Sequence, residues 1–343
     1  MGADARFFER LGPLSAGELA ALCGAELTGD RALAVNDLSA PEQAGTGELF
    51  FLAKGAEAPL SGAGAGACAI VPDAAAAEAL RHAGAVLVAA DPRAAFGRCA
   101  SALVRMRDHE AAVLVHPHAS IDPSALIGPG VVIGQEAQIG AQAVIGPGAI
   151  IGPGVAIGAR CRISARAVVR CALLGADVEI MSGAVIGESG FGLASDSAGL
   201  LAMPHTGLVV IEDEVVIGAN STVDRGMIRN TVLRRGCKID NLCHIAHNCD
   251  IGPGVIMAAF TGISGSVVIG AGAQFGGRVG VADHLTVGDG ARLAADAAVM
   301  RNVPGGETWA GSPAQPIKRF MREAAWVRRE ANRKRSDRKK DTP

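Results

Sequence analysis

The chain of 343 residues is 49% hydrophobic but only 3% aromatic, with no tyrosine, 46 glycines and 16 prolines, which excludes both a core of large rings and a bundle of long helices. A mean hydropathy of +0.30 excludes disorder, and charge interrupts every apolar stretch, as Asp73 and Glu78 do between Ala67 and Leu80, short of the roughly 20 residues that span a bilayer. Net charge is −2, but residues 317–343 hold eleven Lys or Arg against four acidic residues, so this segment carries +7 and the rest −9. That asymmetry suits an anionic partner at the C-terminus. It disfavours nucleic acid, which the acidic body would repel and the few aromatics could not stack. Residues 1–10 mix both charges without an apolar run, so nothing marks export and a cytoplasmic location is expected.

Along the chain, Ser15 to Gly24 reads as a capped amphipathic helix, Glu48 to Ala53 and Cys68 to Val71 as strands, and Ala85 to Ala89 as a strand followed by a helix over Pro92 to Arg107. Residues 1–108 therefore form a small α/β domain. From Val115 a period of six takes over, with an aliphatic at ten successive positions through Val169, Ile121, Ile133 and Ile145 among them. The phase slips by one at Leu174, breaks between Gly187 and Val210, resumes at Ile211, takes four extra residues after Val223, and holds from Leu233 to Val299. Glycine often follows the aliphatic, and Pro-Gly recurs at 129–130, 147–148, 153–154 and 253–254. Each hexad thus supplies a short strand and a turn; a helix would need a period of 3.6 and could not hold the prolines. Three hexads close one triangular coil, and coils stacked at about 4.8 Å make a parallel β-helix of about nine coils over residues 109–305. Pro304-Gly305-Gly306 ends it, and Ile317, Phe320, Met321, Ala324, Val327 and Ala331 recur at helical spacing, so residues 306–343 finish in a basic amphipathic helix.

The hexad also accounts for four cysteines. Cys161, Cys237, Cys243 and Cys249 each fall four residues after an aliphatic, at the second inward position. Residues six apart lie on different sides of the triangle, unlike the short hairpins of zinc sites, so these are core thiols. Two histidines stand out. His247 lies two residues after Ile245 and His284 three after Val281, and those aliphatics are two whole coils apart, so both rings emerge near one edge, roughly 10 Å apart along the axis. Spacing alone leaves solvated turn histidines and a catalytic pair both open, while a zinc site lacks suitable acidic neighbours.

Gly190-Phe191-Gly192, the string Ile211 to Gly226 ending in Thr222-Val223-Asp224-Arg225-Gly226, Ile239-Asp240-Asn241, and Ile245-Ala246-His247-Asn248 together resemble the UDP-3-O-acylglucosamine N-acyltransferases of lipid A biosynthesis, over essentially the whole chain. The resemblance implies a mainly β fold, a left-handed parallel β-helix forming a homotrimer, preceded by a uridine-binding α/β domain. It implies transfer of a 3-hydroxyacyl group from acyl carrier protein, where phosphopantetheine carries it, to the 2-amine of a UDP-sugar, with no resident cofactor or metal. Making an amide from a thioester requires a base for the amine and a hydrogen-bond donor for the oxyanion. On the family's pattern His247 is the general base, Asp240 and Asn241 are its polar support, His284 contacts substrate, and Gly265 offers a backbone N–H to the carbonyl oxygen. Asn248 of the same motif also belongs to the substrate site. Met300 and Arg301 match the lip of the acyl and phosphopantetheine groove, between adjacent subunits.

Two departures from that pattern matter. Where the family has an aromatic-Asn-Tyr set for uracil, this chain has Phe51, Lys54 and Glu57. Phe51 would stack one face of the base, with Lys54 available for a phosphate. Ala298 stands where some members have methionine, which leaves a longer acyl channel. The rival readings are an O-acyltransferase of the same pathway, which lacks a hundred-residue domain ahead of the repeat, a zinc lyase like the γ-type carbonic anhydrases, and a purely structural β-helix. The tail is expected to dock acyl carrier protein, with peripheral contact to an anionic membrane as the alternative.

Overall fold

The computed structural model describes residues 2–56, 64–107, 113–196 and 199–340; Glu57, the expected domain boundary at 108–109, and the side chains of Arg333 and Arg335 lie outside what it describes. The N-terminal part is built as its local signals dictate. Ser15 caps α1 (Ala16–Cys23) by a reciprocal pair of bonds with Glu18, and Gly24 closes it in the left-handed conformation at φ 65°. Five strands follow in the order Glu26–Gly29, Ala85–Val88, Cys68–Val71, Glu48–Phe51, Asp37–Leu38, all parallel except the first pair. Alternation along the strands divides two cores. Leu49, Ile70 and Leu87 face α1 and α3 (Pro92–Leu103), while Phe50, Ala69, Val71 and Val86 face α2 (Ala74–Ala79).

The expected helix over Pro92 to Arg107 stops at Leu103. Val104–Met106 instead pairs antiparallel with Phe8–Arg10, and Arg105 meets Glu9 at 2.7 Å. A β-branched residue beside an open N-terminal strand gains more from the ladder than from another helical turn.

Strands from Ser120–Ile121 to Ala298–Val299 wind into three parallel faces, nine strands deep on two of them. The register confirms one coil per eighteen residues: Ile245 pairs with Ile263, which pairs with Val281 and then Val299. Cys161, Cys237, Cys243 and Cys249 are all buried inside. The break in phase is a β-hairpin, Leu193–Asp196 with Gly199–Ala202, which leaves the solenoid and packs on α3. Contact there is close enough that a methyl group on Gly97 would come within 2.9 Å of Leu201 and Met203. The four extra residues, Met227–Asn230, bulge at a corner, where the Asn230 side chain accepts the Leu208 N–H.

The solenoid ends in Thr308–Ala310 and Gln315–Pro316, from which α4 (Ile317–Lys340) departs. Its first turn packs through Phe320 against Gly311. Beyond that turn the helix stays open to solvent among the described residues: Met321, Trp326 and Val327 are each more than half exposed. Among the described residues no helix is long and apolar enough to cross a membrane.

Candidate active site

His247 follows the strand His244–Ile245 and sits at the corner where the third face turns into the first. Coil stacking sets Gly265 and then Asp283 above it, and Asn248, Ser266 and His284 in the adjoining column, all three with positive φ (63°, 61°, 58°). Backbone bonds tie the columns together, Ser266 N–H to His247 carbonyl at 2.9 Å and His284 N–H to Gly265 carbonyl at 3.0 Å. The two histidines thus share one edge, two coils apart, as their spacing requires.

The protonation of His247 follows from its neighbours. The Met227 N–H donates to Asn248 Oδ1 at 3.1 Å and Asn248 Nδ2 donates to the Arg229 carbonyl at 3.1 Å, which fixes the amide's orientation. His247 Nδ1 lies 2.9 Å from that same Oδ1 and must therefore carry the proton. Nε2 is left as the lone pair, beside Gly265. A methyl group on Gly265 would approach the ring to 2.7–2.9 Å, so only glycine allows the imidazole to lie there. Gly265 N–H meets no acceptor among the described residues.

Beneath the ring lies a residue the sequence did not single out. His205 is buried and packs edge to face on His247, centroids 5.2 Å apart and planes at 67°. Its Nδ1 donates to the Met203 carbonyl at 2.9 Å, so the neutral Nδ1–H tautomer is the one present, and burial pushes its pKa down to about 4. Its Nε2 finds no partner among the described residues. The signal was weak because His205 falls in the segment where the six-residue phase is lost. The motif glycines belong here as well: a methyl group on Gly190 would strike His247 at 2.8 Å and His205 at 2.9 Å, and one on Gly192 would strike His205 at 2.6 Å. Arg225 runs below, buried, donating to the His205 and Gly187 carbonyls. Asp224, also buried and with its pKa raised by that burial, lies 3.7 Å from His244 Nε2.

A groove of about 680 Å³ opens over His247 and is walled by His244, Gly265, His284, Ala298 and Met300, with Phe191 and Arg93 at its rim. Two further hollows adjoin it. One, about 730 Å³, lies between the N-terminal domain and the solenoid, holds Phe51 and Asn248, and shares His284. The other, about 780 Å³, shares Met300 and runs past Arg301 to Arg319, Phe320 and Arg328 of α4. Three hollows in series thus meet at single residues. The Phe51 ring leans on Phe96 of α3 at 4.9 Å, and the Arg301 guanidinium lies over Trp309 at 5.0 Å.

His247, His284, Gly265, Ala298 and Met300 are therefore brought together, with Phe51, Asn248 and Arg301 in the flanking hollows. Lys54 is exposed and is not among the residues lining either hollow. Asp240 and Asn241 occupy a different corner, between the second and third faces. There the Asp240 carboxylate accepts the Asn241 and Ala259 N–H groups and Asn241 Oδ1 accepts the Ala219 N–H. A hexad separates adjacent corners, so within one chain these two residues cannot sit beside His247. Among the described residues no group of three or more His, Cys, Asp or Glu is arranged to hold a metal ion.

The profile described as "Bacterial transferase hexapeptide (six repeats)" matches residues 136–171 and 230–265. Curated relatives match nearly end to end. The protein named UDP-3-O-acylglucosamine N-acyltransferase in Caulobacter sp. (strain K31) is 47% identical over 96% of this chain and 97% of its own length. Its namesakes in Maricaulis maris (strain MCS10), 49% identical over 98% of this chain and 99% of theirs, and in Caulobacter vibrioides (strain NA1000 / CB15N), 48% identical over 96% and 97%, agree. With these relatives, the hexapeptide match and a parallel β-helix behind a small α/β domain, the chain belongs to the UDP-3-O-acylglucosamine N-acyltransferase family, whose fold is the left-handed parallel β-helix.

Proposed function

We propose that the protein moves a 3-hydroxyacyl group from the phosphopantetheine thioester of acyl carrier protein to the 2-amine of a UDP-3-O-acylglucosamine, with His247 as general base. The observation that carries this reading is the tautomer of His247: Nδ1–H donates to Asn248 Oδ1, and Nε2 is left as an acceptor in a groove that joins an apolar pocket to a channel lined with arginines. The base of the UDP-sugar stacks on Phe51, and its glucosamine reaches His247 past His284. The amine attacks the thioester carbonyl as Nε2 takes its proton, and the oxyanion of the tetrahedral intermediate is met by Gly265 N–H. Collapse breaks the C–S bond, and the imidazolium returns its proton to the departing thiolate. No resident cofactor enters this scheme, since the donor arrives already activated on its carrier.

A homotrimer accounts for Asp240 and Asn241. Their corner also carries Leu242 and Phe260, 48% and 59% exposed at positive φ, where a polar residue or glycine usually stands. An apolar column of that kind favours burial against a neighbouring copy, which would bring Asp240 and Asn241 to the rim of that copy's groove.

The test is mass spectrometry of the product formed by the purified protein from UDP-3-O-acylglucosamine and a pool of acyl carrier proteins. An amide-linked diacyl product is expected, made on the order of 10²- to 10⁴-fold more slowly by His247→Ala. No amide product rejects the proposed transfer, and a variant that keeps more than a tenth of the rate rejects His247 as the base.

A further inference from the structure

The hollow beside Phe51 is apolar over most of its wall, with Leu52, Met227, Ile228 and Val268 among its residues. That lining suits a pyrimidine ring. It does not suit the diphosphate that follows the ring in a nucleoside-diphosphate sugar, which brings about two negative charges and needs a cation. Among the described lining residues one side chain carries a permanent positive charge, Arg229, and one is an acid, Glu42. The two are ion-paired across the hollow, Glu42 from the N-terminal domain and Arg229 from the four-residue bulge, and the Arg229 side chain is 67% exposed. Arg93 lines the neighbouring groove over His247 rather than this hollow.

We infer that Arg229 is the diphosphate ligand of this pocket and that Glu42 is the anion that holds its guanidinium until the nucleotide arrives. The inference rests on the reading of the substrate as a UDP-sugar. An arginine fork fits phosphate oxygens in the bidentate manner it uses for a carboxylate, so the substrate replaces Glu42 without a change in the chemistry of the contact. Its backbone gives Arg229 a second connection, because its carbonyl accepts the Asn248 Nδ2 proton and Asn248 orients His247. The bulge that meets the diphosphate is thus the same bulge that seats the base.

The exchange makes the two partners of one ion pair act in opposite directions. Arg229→Gln removes the ligand and should weaken UDP binding about 10-fold or more, the usual worth of a charge-assisted contact. Glu42→Gln removes a competitor and a like charge, and should tighten UDP binding by about 2- to 5-fold. Were the pair only a clamp between the domain and the solenoid, both variants would lose the same clamp and shift affinity the same way.

Isothermal titration of the full-length protein with UDP and with uridine decides it. Uridine has no phosphate, so its affinity should be unchanged in Arg229→Gln while that of UDP falls. Glu42→Gln keeps the arginine and gives an answer even where Arg229→Gln is poorly folded. Shifts of the same sign in the two variants, equal losses for uridine and UDP, or a loss of UDP binding in Arg93→Ala but not in Arg229→Gln would overturn the assignment. A wild-type protein that binds neither UDP nor uridine would bring down the substrate reading itself, an outcome distinct from the others.

Discussion

His205 shows how one residue's environment becomes a property of the whole protein. It is neutral and buried under His247, with its pKa lowered from 6.5 to about 4 by desolvation. The unfolded chain therefore takes up a proton between those values that the folded chain refuses. Stability from this site is complete above pH 6.5 and is lost as pH falls toward 4, by about 3 kcal/mol at most. Thermal unfolding followed from pH 7 to pH 4 should show a fall that is shallower in His205→Gln, and equal slopes would show that His205 titrates normally. His247 and His284 were legible because they interrupt a strict period, and both could be assigned to one edge by counting coils. His205 could not be, since a hairpin excursion carries no register. Nor could Arg229, whose importance depends on a partner, Glu42, almost two hundred residues earlier.

Among the elements, two-residue strands were the most legible, because the hexad fixes both their spacing and which side chain points inward. The helix end at Leu103 was not, because the competitor for Val104 is a strand near residue 8 and local propensity cannot see it. Asp240 and Asn241 mark the other limit: a motif that reads as one site along the chain is divided between two corners by the winding. The strand Ala298–Val299 carries a prediction of its own. Ala298 is half-buried on the groove wall next to Met300, so Ala298→Met should fill the channel and move donor preference toward shorter acyl chains, each excluded methylene being worth about 0.8 kcal/mol. Competition between carrier proteins of different acyl length measures this directly, and an unchanged profile would remove Ala298 from the channel.

For the whole molecule, α4 is the element least accounted for by its own chain. Arg319 and Arg328 line the hollow next to Met300 together with Val327, and Met321, Trp326 and Val327 are all exposed, a mixed basic and apolar surface that suits an acidic carrier. Truncation after Gln315 should raise the Michaelis constant for acyl carrier protein severalfold, leave that for the UDP-sugar unchanged, and flatten the salt dependence of carrier association. Kinetics that survive truncation, with only vesicle binding lost, would make the helix a membrane contact instead.

The stacked column Asn248, Ser266, His284 has a consequence beyond holding side chains still. Each step along it is one strand spacing, about 4.8 Å, and no smaller step is available without breaking the ladder. The edge therefore works as a graduated scale. Groups that face substrate can be moved by whole divisions or exchanged within one, but never slid by an ångström. A relative that accepts a bulkier acceptor sugar has two routes open: an additional coil between the divisions that carry His247 and His284, or a smaller side chain at the division between them.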